Sequence, residues 1–177
     1  FAASAAAAPA SLTVTVAGIE DGKPIPEKFA YCVPDGKGKS KDGTNINPMI
    51  SWKGAPEGTK SYAVIVVDKD VPASFELANQ DGKTIPKDFA RRDFYHWVQI
   101  DVPADVTEIK EGEDSSGRDK TPTQAKRYGL AGMNDYTGVF GRPFLGYDGP
   151  CPPWNDERLH RYHFKVFALG VESLGLK

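Results

Sequence analysis

Cysteine and histidine are scarce in this 177-residue chain, which holds two of the first and three of the second. Two cysteines, Cys32 and Cys151, exclude a disulfide framework. They permit a single bridge, and they equally suit two free, partly buried thiols, so they do not by themselves fix the compartment. No apolar run approaches the roughly 20 residues that a bilayer-spanning helix needs, so a helical membrane span is not expected. One-sign charge blocks are also missing. Lys and Arg number 22 against 24 Asp and Glu, for a net charge of −2. A balance of that kind excludes general binding of nucleic acid or of a membrane surface through a basic field. Long helical stripes are absent as well; VTEIKEG, from Val106, allows at most a short helical turn.

What the chain does have is punctuation: 18 glycines and 14 prolines. That is too few for a disordered low-complexity chain and enough for many turns between short strands. Leu12, Val14 and Val16 alternate with polar residues as in a half-buried strand. SYAVIVVD, from Ser61, is a continuous apolar run suited to an interior strand covered on both faces. YHWVQIDVP, from Tyr95, and RYHFKVFAL, from Arg161, read as two more strands. The expectation is one mainly β domain over residues 11–177, behind a flexible alanine-rich leader at 1–10. FAASAAAAPA resembles the tail of an export signal, which points to a periplasmic or secreted protein, with a cytoplasmic one as the alternative. DGKPIPEKFA and DGKTIPKDFA, from Asp21 and Asp81, share seven of ten residues; shared turn chemistry explains that echo.

Three places can carry chemistry. Asp68 and Asp70 stand two apart at the end of an interior strand, so their carboxylates share a side, and Pro72 then ends the pairing. Such a pair can share a proton, bind a metal, accept from an ammonium group, or simply cap a turn. His96 sits in an apolar strand beside Trp97, where its ring must find a partner. His160 and Tyr162 share one face of the last strand, whereas His163 falls on the other. Before them, GYDGPCPPWNDERLHRYHF packs Gly149 and Pro150 into a stiff turn around Cys151.

Taken in order, D-x-D-x-P, a strand starting H-W, Y-x-G-P-x-P-P and H-R-Y-x-F resemble the phosphatidylethanolamine-binding protein family, most closely its bacterial, Raf-kinase-inhibitor-like branch. NINPMISWKGAPEGTKSYAVIVVDKDVP, from Asn45, resembles the segment leading into the family's acidic motif. The resemblance implies two packed antiparallel sheets in a Greek-key-like sandwich, with a few short helices. It further implies a small pocket for phosphate or a phospholipid head group, lined by Asp68, Asp70, Pro72, His96, Gly149, Pro150, His160 and Tyr162. Trp52 and Trp97 would be walls or nearby core. The implied activity is non-enzymatic binding without cofactor or metal; the alternative is stoichiometric inhibition of a protease or kinase. Histidines charged by the carboxylates would donate to the anion, more strongly as pH falls through roughly 6–7.

Four departures from the family pattern stand out. Lys69 occupies the place between the aspartates where proline is usual, and WNDERL before His160 is longer than the usual link, so Trp154 or Arg158 is expected over the pocket mouth. The region between Cys32 and Asn45 looks expanded, and the sequence ends at Lys177, where family members commonly continue through a further segment.

Overall fold

The computed structural model describes residues 11–115 and 128–176; the alanine-rich leader lies outside them. Among these residues nine strands run in the order β1 (Thr13–Val16), β2 (Cys32–Pro34), β3 (Ser40–Asp42), β4 (Ile50–Lys53), β5 (Ser61–Pro72), β6 (Arg91–Pro103), β7 (Glu108–Ile109), β8 (Leu130–Ala131) and β9 (Tyr162–Leu169). The helical elements wholly within the described residues are a five-residue helix, α1 (Tyr136–Phe140), and a 3-10 turn (Glu27–Phe29). All strand pairs are antiparallel, in a four-stranded sheet β8-β6-β5-β9, a three-stranded sheet β1-β4-β7 and the hairpin β2-β3.

β5 earns its central place by composition. Its β-branched run leaves no polar face to give to water, and it pairs with β6 on one side and β9 on the other. Tyr62, Val64 and Val66 from β5 and Trp97 from β6 pack against Ile50 and Trp52 of β4 and Ile109 of β7. Both tryptophans are therefore core rather than pocket wall, at 4% and 0% exposure. The most that VTEIKEG allows by its sequence is a short helical turn; it instead forms β7, because Ile109 pairs with Ile50 and fills the space between the sheets. A weak local propensity yields there to an available edge.

The repeated decapeptides do share turn chemistry. Lys23 and Lys83 each donate a backbone N–H to the carbonyl three residues back, as do Phe29 and Phe89. Gly22 and Gly82 take the same left-handed φ, 71° and 72°.

Two further contacts hold the loops. Cys32 and Cys151 form a disulfide spanning 119 residues, which ties the β2-β3 hairpin to the proline-rich turn. Behind the core, Trp97 Nε1 donates to Asp114 at 2.5 Å, and burial pushes that carboxyl up to about 6. A carboxyl whose folded pKa exceeds its unfolded value contributes most below pH 3.8 and loses that contribution as pH rises through about 6. Asp114→Asn keeps an acceptor for the indole. It is expected to abolish this slope in urea titrations between pH 4 and 7, leaving the variant at least as stable as wild type at pH 7.

Candidate functional site

At one end of the four-stranded sheet the apolar face of β5 gives way to acid. Asp68, on the same face as Val66, lies opposite Phe94 of β6 and Tyr162 of β9. His96 reaches the same place through a β-bulge. Val66 pairs with Trp97 and Val67 with Tyr95, so His96 stands unopposed and is buried alongside its neighbour Trp97. A strict alternation would have sent one of the two outward. His160 arrives from the loop just before β9, its side chain 3% exposed.

These groups form a closed chain of charge. His160 Nδ1 meets Asp68 Oδ2 at 2.6 Å and His160 Nε2 meets Asp156 Oδ2 at 3.2 Å. Asp156 in turn receives both terminal nitrogens of Arg91 in a bidentate pair. Burial works against charge on His160, but the hydrogen bonds and fields of Asp68 and then Asp156 outweigh it, and its pKa is raised. Asp156 is likewise opposed by burial, yet Arg91 holds its pKa down. Asp70 receives the Arg158 Nε–H at 2.6 Å and the Arg161 backbone N–H at 3.1 Å, while its own N–H caps Asp68. Three carboxylates thus face three cations.

His96 behaves oppositely. Its Nδ1 lies 2.8 Å from the carbonyl of Asp148, so that nitrogen must carry the hydrogen. Full burial lowers its pKa below 6.5, and the ring is neutral with a bare lone pair on Nε2. Beside it, at 5.2 Å between ring centroids, stands Tyr162. The Tyr162 hydroxyl is buried close to the Asp68 carboxylate, yet no acceptor meets it in full hydrogen-bonding geometry. Burial first, then the nearby Asp68 charge, push its pKa well above the usual range, so it keeps its proton.

Asp68, His96, His160 and Tyr162 share the lining of one cavity of about 670 Å³. The other candidates do not reach it. Asp70 faces the arginine side of the network. Pro72 ends β5 opposite Arg91. Gly149 and Pro150 act through the main chain: the Gly149 N–H donates to Asn45, its carbonyl accepts the Tyr136 hydroxyl, and the Pro150 carbonyl accepts the Cys32 N–H. At Gly149 a Cβ would fall 1.9 Å from the carbonyl oxygen of Phe29, which is why glycine stands there.

Neither Trp154 nor Arg158 covers the mouth. Arg158 is committed to Asp70 and to the Lys87 carbonyl, and the Trp154 ring packs near Lys39. Lys69 is exposed, pointing away from the carboxylates as alternation requires. Sequence reasoning missed Asp156, Arg91 and Arg92. The available signal for Asp156 was its place four residues before His160 inside the enlarged link. The arginines lie just ahead of where the strand was expected to begin. The remaining cavity wall includes Phe94, Tyr136 and Cys151, with Arg92, Asp135, Phe75 and Phe140 among the others.

Comparisons with known proteins agree with one another. The family model for phosphatidylethanolamine-binding protein matches residues 15–177. A UPF0098 protein of Aquifex aeolicus is 37% identical over 171 residues, covering 94% of this chain and 81% of the relative. The UPF0098 protein YbcL of Escherichia coli is 36% identical over 135 residues, but the match spans only 57% of its length. The crystal structure of E. coli YbcL, described as a new member of the mammalian PEBP family, superposes with a TM-score of 0.64 at 28% identity, over 93% of this chain and 80% of that one. A Chlamydia trachomatis homologue, CT736, gives 0.59 at 26%, over 92% and 77%. On this evidence the chain belongs to the phosphatidylethanolamine-binding protein family.

Proposed function

We propose that the cavity binds a small phosphate monoester, a free head group such as phosphoethanolamine included, and performs no chemistry on it. The carrying observation is the pairing of an acceptor, the His96 Nε2 lone pair, with a buried donor that no acceptor holds in full geometry, the Tyr162 hydroxyl beside Asp68, on one wall. A phosphate that retains one proton satisfies both: its P–OH donates to the imidazole while a phosphoryl oxygen accepts from the phenol. His160 does not donate to the ligand, since both its nitrogens are taken by carboxylates. Its role is to neutralise Asp68 and Asp156, so that an anion can approach. Family membership supports a binding role, and the absorption of Cys151 into a disulfide supports a site without a thiol nucleophile. The same disulfide supports a periplasmic or secreted location.

The pH dependence then lies with a shared proton rather than with two charged histidines. A phosphate monoester loses its second proton near pH 6. Above that pH, binding takes up one proton, and affinity falls about tenfold per pH unit. Calorimetry of phosphoethanolamine in buffers of different ionisation enthalpy should report that proton. Sulfate, which has none to offer, is expected to bind at least about tenfold more weakly. Tyr162→Phe removes the donor and should weaken binding by about 1.5–3 kcal/mol. Equal affinity for sulfate and phosphate, with no proton uptake, would refute this pairing.

A further inference from the structure

The cavity is too large for its polar wall. Phosphoethanolamine has eight heavy atoms and fills on the order of 160–240 Å³ at roughly 20–30 Å³ per atom. The cavity holds about 670 Å³, so most of it lies beyond any head group. Two aromatic ladders rise through that excess space from His96. One runs from the His96 ring to Tyr136 at 5.5 Å, and from Tyr136 to Phe140 at 6.0 Å with the rings 13° from parallel. The other runs from His96 to Phe94 at 5.0 Å, then to the Arg92 guanidinium, which lies 5.7 Å from Phe94 and 5.5 Å from Phe75.

Both ladders end at the rim in half-exposed rings, Phe75 at 40% and Phe140 at 50% exposure. Flat apolar rings and a planar cation, stacked along both sides of one cavity, leave faces toward its open space that suit one more ring. Arg92, which makes no ion pair among the described residues, offers that ring a π-facing partner.

Resting on the phosphate reading above, we propose that the ligand is a soluble phosphate monoester carrying a single aromatic group, with the phosphate at His96 and Tyr162 and the ring held between Phe75, Arg92 and Phe140. A membrane phospholipid fits neither end. Its phosphodiester has no proton for His96, and two acyl chains of about 16 carbons each need roughly 30 Å³ per carbon, more than the whole cavity.

The test is calorimetric titration of methyl, hexyl and phenyl phosphate into the wild-type protein and into Phe75→Ala and Phe140→Ala. Phenyl and hexyl phosphate share a carbon count, so their comparison isolates the ring. Phenyl phosphate should bind about tenfold tighter than methyl phosphate and at least about threefold tighter than hexyl phosphate. Each rim variant should erase most of the phenyl advantage while leaving methyl phosphate within about twofold. Because both side chains are half exposed, folding is not at risk, and circular dichroism will verify it. Equal affinity for all three esters, or hexyl matching phenyl, overturns the aromatic assignment while leaving the phosphate site standing. Failure of every ester, methyl phosphate and phosphoethanolamine included, overturns the phosphate reading together with this one.

Discussion

Reducing the Cys32–Cys151 bridge should cost this protein about 4–5 kcal/mol of stability, the chain-entropy expectation for a closed loop spanning 119 residues. For a domain of this size that corresponds to a fall of roughly 10–20 °C in Tm. The double variant Cys32→Ser, Cys151→Ser should show the same loss in urea unfolding without reductant. The geometry sets where the loss is felt. Cys151 lines the cavity, and its neighbour Pro150 accepts the Cys32 N–H, so the bridge and one hydrogen bond together hold the β2-β3 hairpin against the cavity wall. A double variant unfolding at the wild-type urea midpoint would show that packing alone holds that wall.

The second large effect is expected at His160. Replacing it with alanine leaves Asp68, 1% exposed, and Asp156 without the imidazolium between them. Removing one partner from a buried charge network typically destabilises by about 3–5 kcal/mol. The sign of the pH dependence follows from the raised folded pKa. The stabilisation is complete below the unfolded value of 6.5 and is lost as pH rises through the higher folded value. Wild-type protein should therefore lose stability toward alkaline pH, and His160→Ala should lack that loss. His96 works in reverse. Its lowered pKa leaves its stabilisation intact above 6.5, to be lost as acid protonates the ring. A stability difference between wild type and His160→Ala that does not vary with pH would mean that the imidazole is not charged in the fold.

The fold was legible in the sequence wherever period and composition agree. The unbroken β-branched run of β5 declares a strand with two neighbours, and the alternation of β1 declares a half-covered one. Two things could not be read that way. β7 is a two-residue pairing whose helix-compatible sequence is overruled by contact with β4. The bulge at His96 depends on how many residues β6 presents to β5, a property of a pair of strands and of neither alone. In the site, Asp68, His96, His160 and Tyr162 were recoverable because each sits on a strand, or beside one, with known parity. Their individual tasks were not, because those depend on Asp156 and Arg91, which approach from segments with no periodic signal. The expectation of two charged histidines fails for that reason: one ring is fully buried and faces a carbonyl, the other is held between two acids.

β5 also carries a consequence for synthesis. Its partner β9 begins at residue 162, ninety positions after β5 ends at 72. At about 5–20 residues per second, a ribosome finishes β5 some 5–18 seconds before its outer neighbour exists. Throughout that interval β5 has at least one open side, and both until β6 is made at 91–103, a template for mispairing with another nascent chain. That side is closed only when the last strand of the sheet emerges and pairs along its full length.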